Sequence, residues 1–212
     1  MISYIISVYN ELEEISKLLN KLNQNKNYND EIIVVHTFRN TEEKTSKLFK
    51  DISFKCKEYC DIYENFHFQN NFADLKNYLI DLSTRDYIIN LDADEFVSNE
   101  TLELWFTAIK SQEHDLYYIP RINTIKGYTL QDIKKYEWII NQNGWIQWPD
   151  YQPRIFKNNK QIRWSGKVHE HPIGFSNHHV MPASPSMAIL HHKQIAKQRE
   201  QNNLYDQISS TN

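Results

Sequence analysis

Through residue 91, short continuous apolar runs alternate with stretches whose apolar residues recur at helical spacing, and this alternation constrains the fold more than any other feature. Residues 2–8 (ISYIISV) read as a strand, and residues 11–22 carry Leu12, Ile15, Leu18, Leu19 and Leu22 on one helical face. The pattern recurs in 31–35 (EIIVV), followed by a mostly polar 41–54 in which Leu48, Phe49 and Ile52 form the buried stripe. A third short strand is expected near 60–63, a helix over 72–82 with Phe72, Leu75, Leu79 and Leu82 on one face, and a strand over 86–91. Runs that are apolar at every position suit strands buried on both faces. The expectation is therefore an α/β fold, a mostly parallel sheet flanked by helices.

The fourth run ends in acid. YIINLDADEFVS, residues 87–98, sets Asp92, Asp94 and Glu95 directly after a strand that should be buried. Ligands of open α/β sheets bind beyond the carboxyl ends of the strands, which is where this cluster falls. In an extended segment, residues i and i+2 point the same way, so Asp92 and Asp94 can face one ligand while Ala93 turns aside. Two converging carboxylates repel unless a cation neutralises them, and oxygen ligands favour a hard ion, Mg²⁺ or Mn²⁺. The alternative is that one aspartate caps the next turn and the other is solvated.

Beyond residue 94 the character changes. A helix fits 99–110 with Ser98 or Asn99 as its cap, a strand fits 115–122, and 127–164 is loop-rich and aromatic. Trp138, Trp145, Trp148 and Trp164 fall there, and six of the nine histidines follow Val168. The net charge of −3 comes with no long basic block, which argues against nucleic acid as a partner. No apolar run approaches the roughly 20 residues of a spanning helix, and the opening MISYIISVYNELEE lacks a basic n-region. Cys56 and Cys60 read as reduced thiols, so the expected location is cytoplasmic. The composition, rich in Lys, Asn and Ile, points to an AT-rich bacterial or large viral genome, and to the host cytoplasm if viral.

Asn71-Phe72-Ala73-Asp74-Leu75-Lys76-Asn77, followed by the run from Asp86 to Glu95, resembles the signature of family 2 glycosyltransferases with the GT-A fold. Ile5 to Glu11 (IISVYNE), Pro153-Arg154-Ile155-Phe156, Gly166-Lys167-Val168-His169-Glu170 and Leu190-His191-His192 agree with it in order. The resemblance implies one GT-A domain over 1–212, with a donor half (1–98), an acceptor half (99–212) and a smaller antiparallel region on the acceptor side. It also implies transfer of a sugar from a nucleotide-diphosphate sugar, UDP-linked as the first expectation, to a hydroxyl of a glycan or glycoprotein, with inversion. The nucleotide-sugar site implied is Val8, Tyr9, Glu11, His36, Asn71, Lys76, Asn77, Asp92, Ala93, Asp94 and Arg154. Lys76 stands where the family often has arginine, and His36 replaces an aspartate that usually meets the base, which leaves guanosine and thymidine donors open.

A manganese or magnesium ion would be held by Asp92, Asp94 and His191, with His192 facing away from it. Glu170 and Asp150 are the candidate bases, and a salt bridge to Arg154 or Arg163 is the alternative use of either. Trp138, Trp145, Trp148 and Tyr151 offer apolar faces with polar rims for a sugar ring, or else pack a secondary core. His169, His171, His178 and His179 complete no zinc spacing. A nucleotidyltransferase and a non-catalytic sugar-binding module derived from a transferase are the competing readings.

Overall fold

In the computed structural model, which describes residues 1–111 and 113–210, the alternation becomes a seven-stranded sheet. β1 (Ile2–Val8) leads into α1 (Leu12–Asn25), whose Ile15, Leu18, Leu19 and Leu22 are fully buried. β2 (Glu31–Phe38) follows and pairs parallel with β1. α2 (Lys47–Tyr59) starts later than its polar lead-in suggests. Residues 43–45 form a 3₁₀ turn, and the Ser46 hydroxyl caps the helix by accepting the Phe49 amide, one of the donors a helix start leaves free. β3 (Ile62–His67), α3 (Phe72–Leu82) and β4 (Tyr87–Asp92) complete the regular half.

β5 (Glu95–Phe96) is two residues long and precedes α4 (Asn99–Lys110), capped by Ser98. The single strand expected over 115–122 is divided into β6 (Leu116–Ile119) and β7 (Arg121–Lys126). Pro120 lies at the break. With no amide hydrogen and a fixed φ it cannot extend a ladder, so the chain leaves one sheet for another there. The remaining elements are α5 (Leu130–Lys135), β8 (Gln152–Lys157), β9 (Arg163–Ser165), β10 (His171–Ile173), β11 (His178–Val180), β12 (Ile189–Gln194) and α6 (Ile195–Ser210).

The main sheet runs β11-β6-β8-β4-β1-β2-β3. β4, β1, β2 and β3 are parallel, whereas β8 is antiparallel to both β4 and β6. Strand alternation divides the core between two faces. Tyr4, Ile6 and Val8 pack with α1 and Trp105 on one side, and Ile5 packs with Leu79, Phe156 and Ile208 on the other. A second sheet, β5-β12-β7, is mixed, because β12 is antiparallel to β5 but parallel to β7. Its register sets His191 opposite both Glu95 and Asn123, which brings β12 to the acidic end of β4.

Candidate active site

The carboxyl ends of β1 and β4 lie side by side, Ser7 opposite Asp92, and a cleft of about 1280 Å³ opens beyond them. Asp92, Ala93 and Asp94 line it together with Val8, Tyr9 and Glu11, the last residues of β1 and its following loop. Glu11 shapes that loop by accepting the Tyr9 and Asn10 amides at 2.9 and 3.0 Å. Lys76 reaches the cleft from α3 and Glu170 from the loop after β9. That loop is tied to the start of α3 by the Phe72 amide, which donates to the Lys167 carbonyl at 2.9 Å.

The two aspartates have different partners. Asp92 receives an Arg154 guanidinium hydrogen bond at 2.6 Å, and the same nitrogen bonds Glu95 at 2.5 Å. Glu95, whose side chain is 0% exposed, also takes Arg121 at 3.0 Å and the Asp92 amide at 3.0 Å. Arg121 continues to Asp150 at 2.7 Å, and Asn123 and Gln152 supply two further hydrogen bonds to that carboxylate. Burial alone would raise the Asp92 and Asp150 carboxyls. Arg154 pulls the first, and Arg121 with Asn123 and Gln152 the second, below the ordinary range.

Asp94 faces His191 at 3.5 Å, Lys193 at 3.8 Å and Lys197 at 3.2 Å. Burial would raise its carboxyl too, but the His191 ring and the two ammonium groups beside it hold it well below the usual value. The tautomer of His191 follows from its neighbours. The ionised Asp150 can only accept, so Asn123 must turn its amide nitrogen to Asp150 (2.7 Å) and its oxygen to His191 Nδ1 (2.8 Å). Nδ1 is then the donor. Burial pushes the ring pKa down against the pull of Asp94, and in its neutral form the ring turns an Nε2 lone pair toward Asp94.

In that form the Nε2 lone pair and the Asp94 oxygen, 3.5 Å apart, are two electron-pair donors side by side, with the Lys193 and Lys197 ammonium groups offsetting the carboxylate charge. Two ligands each about 2.1 Å from one ion subtend a separation of this size. Asp94 and His191 would supply two ligands to such an ion. Asp92, expected as a third ligand, is drawn to Arg154, and among the described residues no group of three or more His, Cys, Asp or Glu side chains converges as a metal site.

Glu170 pairs with Lys76 at 2.5 Å, and the Lys76 ammonium lies 3.9 Å from the centre of the Trp164 ring. Asp150, the other candidate base, also faces the cleft but has its oxygens filled by hydrogen-bond donors. Neither is paired with Arg163, which binds Asp81. Of the four aromatic candidates, Trp138 lines the cleft, whereas Trp145 and Trp148 pack edge-on against each other at 5.0 Å, and Tyr151 is not among the lining residues.

Three other residues take structural roles. His36 is 0% exposed, stacks on Phe49 at 3.8 Å and holds the Tyr9 carbonyl at 3.0 Å, so it acts behind the cleft wall. Asn71 caps α3, and Asn77 bonds both backbone groups of Trp164. His192 is exposed, as the strand alternation requires. Arg121, Asn123, Lys193 and Lys197 were not singled out from the sequence. The spacing of four between Lys193 and Lys197 is the local signal that could have drawn attention to the last two.

A family model described as "Glycosyl transferase family 2" matches residues 3–187. The SPbeta prophage-derived glycosyltransferase SunS of Bacillus subtilis (strain 168) is 26% identical over 178 residues, 81% of this chain and 35% of that protein. Glycosyltransferase SunS of Bacillus phage SPbeta matches to the same extent. The chain thus spans about a third of the length of these curated relatives. Among solved structures, S. aureus TarS 1-349 superposes with a TM-score of 0.58 at 15% identity, covering 91% of this chain and 60% of that one. The same fragment in complex with UDP-GlcNAc gives a TM-score of 0.59 at 15% identity, with 91% and 58% covered. At such identity the likeness speaks for the shared fold.

Proposed function

The chain belongs to glycosyl transferase family 2, and from this premise we propose that it moves a sugar from a nucleotide-diphosphate sugar to an acceptor hydroxyl. The observation that carries the proposal is the approach of Asp94 to His191 Nε2, 3.5 Å apart, where the end of β4 meets a cleft large enough for donor and acceptor together. A Mn²⁺ or Mg²⁺ ion would be held by Asp94 and His191, and when bound it would offset the charge that gathers on the departing diphosphate.

The chain's own groups account for the rest. Tyr9 and Glu11, at the end of β1, face the nucleoside, with the Arg39 guanidinium 5.0 Å from the Tyr9 ring. Uridine is the base we infer first, and the TarS complex with UDP-GlcNAc supports it. Lys76, one ammonium between Glu170 and the donor side, can reach a phosphate oxygen. Glu170 is the base. It takes the acceptor proton while the acceptor oxygen bonds the anomeric carbon from the face opposite the leaving diphosphate, so one displacement inverts that carbon. Asp150 serves instead to orient Asn123 and Arg121, since Arg121, Asn123 and Gln152 together occupy both of its oxygens. Trp138 lies where a sugar acceptor, a glycan or the glycan of a glycoprotein, could stack.

We further infer that residues 1–212 act as one catalytic domain, donor half first (1–98) and acceptor half second (99–212). No helix among the described residues is long and apolar enough to cross a membrane. Both thiols are unpaired, and burial pushes Cys56 up to about 12 and Cys60 to about 11, which suits the reducing cytoplasm we propose.

The test is a panel of nucleotide sugars, each assayed for release of nucleoside diphosphate with and without Mn²⁺. Release from one donor that stops on chelation is the expected result. A chain that releases nothing from any donor but is thermally stabilised by free glycan alone would instead be a sugar-binding module, and release of sugar 1-phosphate with nucleoside triphosphate only when pyrophosphate is added would mark a nucleotidyltransferase.

A further inference from the structure

α6 lies beyond the segment that the family model matches, residues 3–187, yet it returns to the cleft. It is anchored along its length. Arg199 binds Asp132 at 2.8 Å, Tyr205 packs edge-on against Phe72 at 5.5 Å, and Ile208 is buried with the core under β1. Near the start of the helix, Lys197 points the other way, its ammonium 3.1 Å from Glu11 and 3.2 Å from Asp94. Lys193, one turn earlier on β12, is held by Gln201 at 2.5 Å and is only 7% exposed, whereas the Lys197 side chain is 36% exposed. Of the two ammonium groups at Asp94, Lys197 is the one with room to move.

Resting on the transferase reading above, we propose that Lys197 is a donor-binding residue that exchanges partners, bridging Glu11 and Asp94 in the free chain and turning to the donor diphosphate once a divalent ion occupies Asp94. The geometry supplies the reason. An ammonium at 3.2 Å and a doubly charged ion on the same Asp94 oxygen repel each other, which weakens the hold of Asp94 on Lys197. A lysine displaced from Asp94 keeps its anchor at Glu11, on the nucleoside side of the cleft, and its four-carbon stem reaches the oxygens that link nucleoside to sugar. The helix need not move. Lys197 is thus a competitor of the metal before the donor arrives and a partner of the diphosphate afterwards.

These two roles have opposite signatures in one variant. In Lys197→Ala, Mn²⁺ alone, followed by the electron paramagnetic resonance signal of the free ion, should bind about two- to fivefold tighter, because a solvent-facing competing ion pair is gone. UDP with saturating Mn²⁺, followed by calorimetry, should bind about tenfold weaker, because a charge-assisted hydrogen bond to phosphate is lost. Lys197→Arg should restore UDP affinity, and circular dichroism melts of all forms check the fold. If both affinities stay at the wild-type value, or both move the same way, Lys197 is only a tether for α6 and the proposal is overturned. If the wild-type chain binds no UDP even with Mn²⁺, the transferase reading falls and this inference falls with it.

Discussion

Asp92 and Asp94 stand two residues apart on one strand end, yet their surroundings differ in kind. Asp92 is the half-exposed end of a lattice of fixed charges, in which Arg154 and Arg121 share the buried Glu95 and Arg121 reaches on to Asp150, both with planar guanidinium forks in defined directions. Asp94 is met by an imidazole and two lysines, groups that bind as single points and can give way. The contrast teaches a division of labour within a short acidic motif. One aspartate is committed to holding the strand end in place, and the other keeps a charge that a ligand can claim.

Substitution should separate the two. Asp94→Asn is expected to lower turnover by about a thousandfold or more while shifting the melting temperature little, measured by donor hydrolysis and a thermal melt. Should it unfold the chain instead, the comparison breaks. Arg154→Met should do the reverse and cost about 3–5 kcal/mol of stability, because the buried Glu95 and the half-buried Asp92 lose the guanidinium they share. In a chain of this size that is a fall of roughly 10 °C in Tm. Glu170→Gln sharpens the acceptor side of the account, with kcat expected to drop about a hundredfold and UDP affinity held within a factor of two or three.

The smallest effect tests the buried lattice through pH. Arg121, Asn123 and Gln152 outweigh burial and depress the Asp150 pKa, so Asp150 adds stability that is complete above the unfolded aspartate value near 4 and fades as pH falls toward its folded value. Asp150→Asn should therefore be about 1–2 kcal/mol less stable than wild type at pH 7. Chemical denaturation should show the gap closing below about pH 4.

The same contrast explains what could be read from the residues alone. Strands β1, β2 and β4 announce themselves because burial on both faces writes a continuous apolar run, a local signal. The inward turn of His191 and the outward turn of His192 follow from strand alternation in the same way. Arg154 meets Asp92 across 62 positions and Arg121 meets Asp150 across 29, and no periodicity encodes such pairings. His36 looked exposed to ligand because it replaces a base-contacting residue, but stacking on Phe49 takes it behind the wall. Trp145 and Trp148 pack edge-on against each other outside the cleft lining, a pairing that their aromatic character alone does not reveal. The return of α6 to the cleft was hidden because its sequence is polar, and its contacts are made by ion pairs and a few side chains rather than by an apolar stripe.

The claim that Asp94 and His191 seat a cation which recruits the donor is tested most directly by calorimetric titration of UDP into the wild-type chain, once with Mn²⁺ and once with chelator. Binding that requires Mn²⁺ is the predicted result. Equally tight binding in chelator would mean that the lysines and arginines of the cleft hold the diphosphate unaided, and would contradict it.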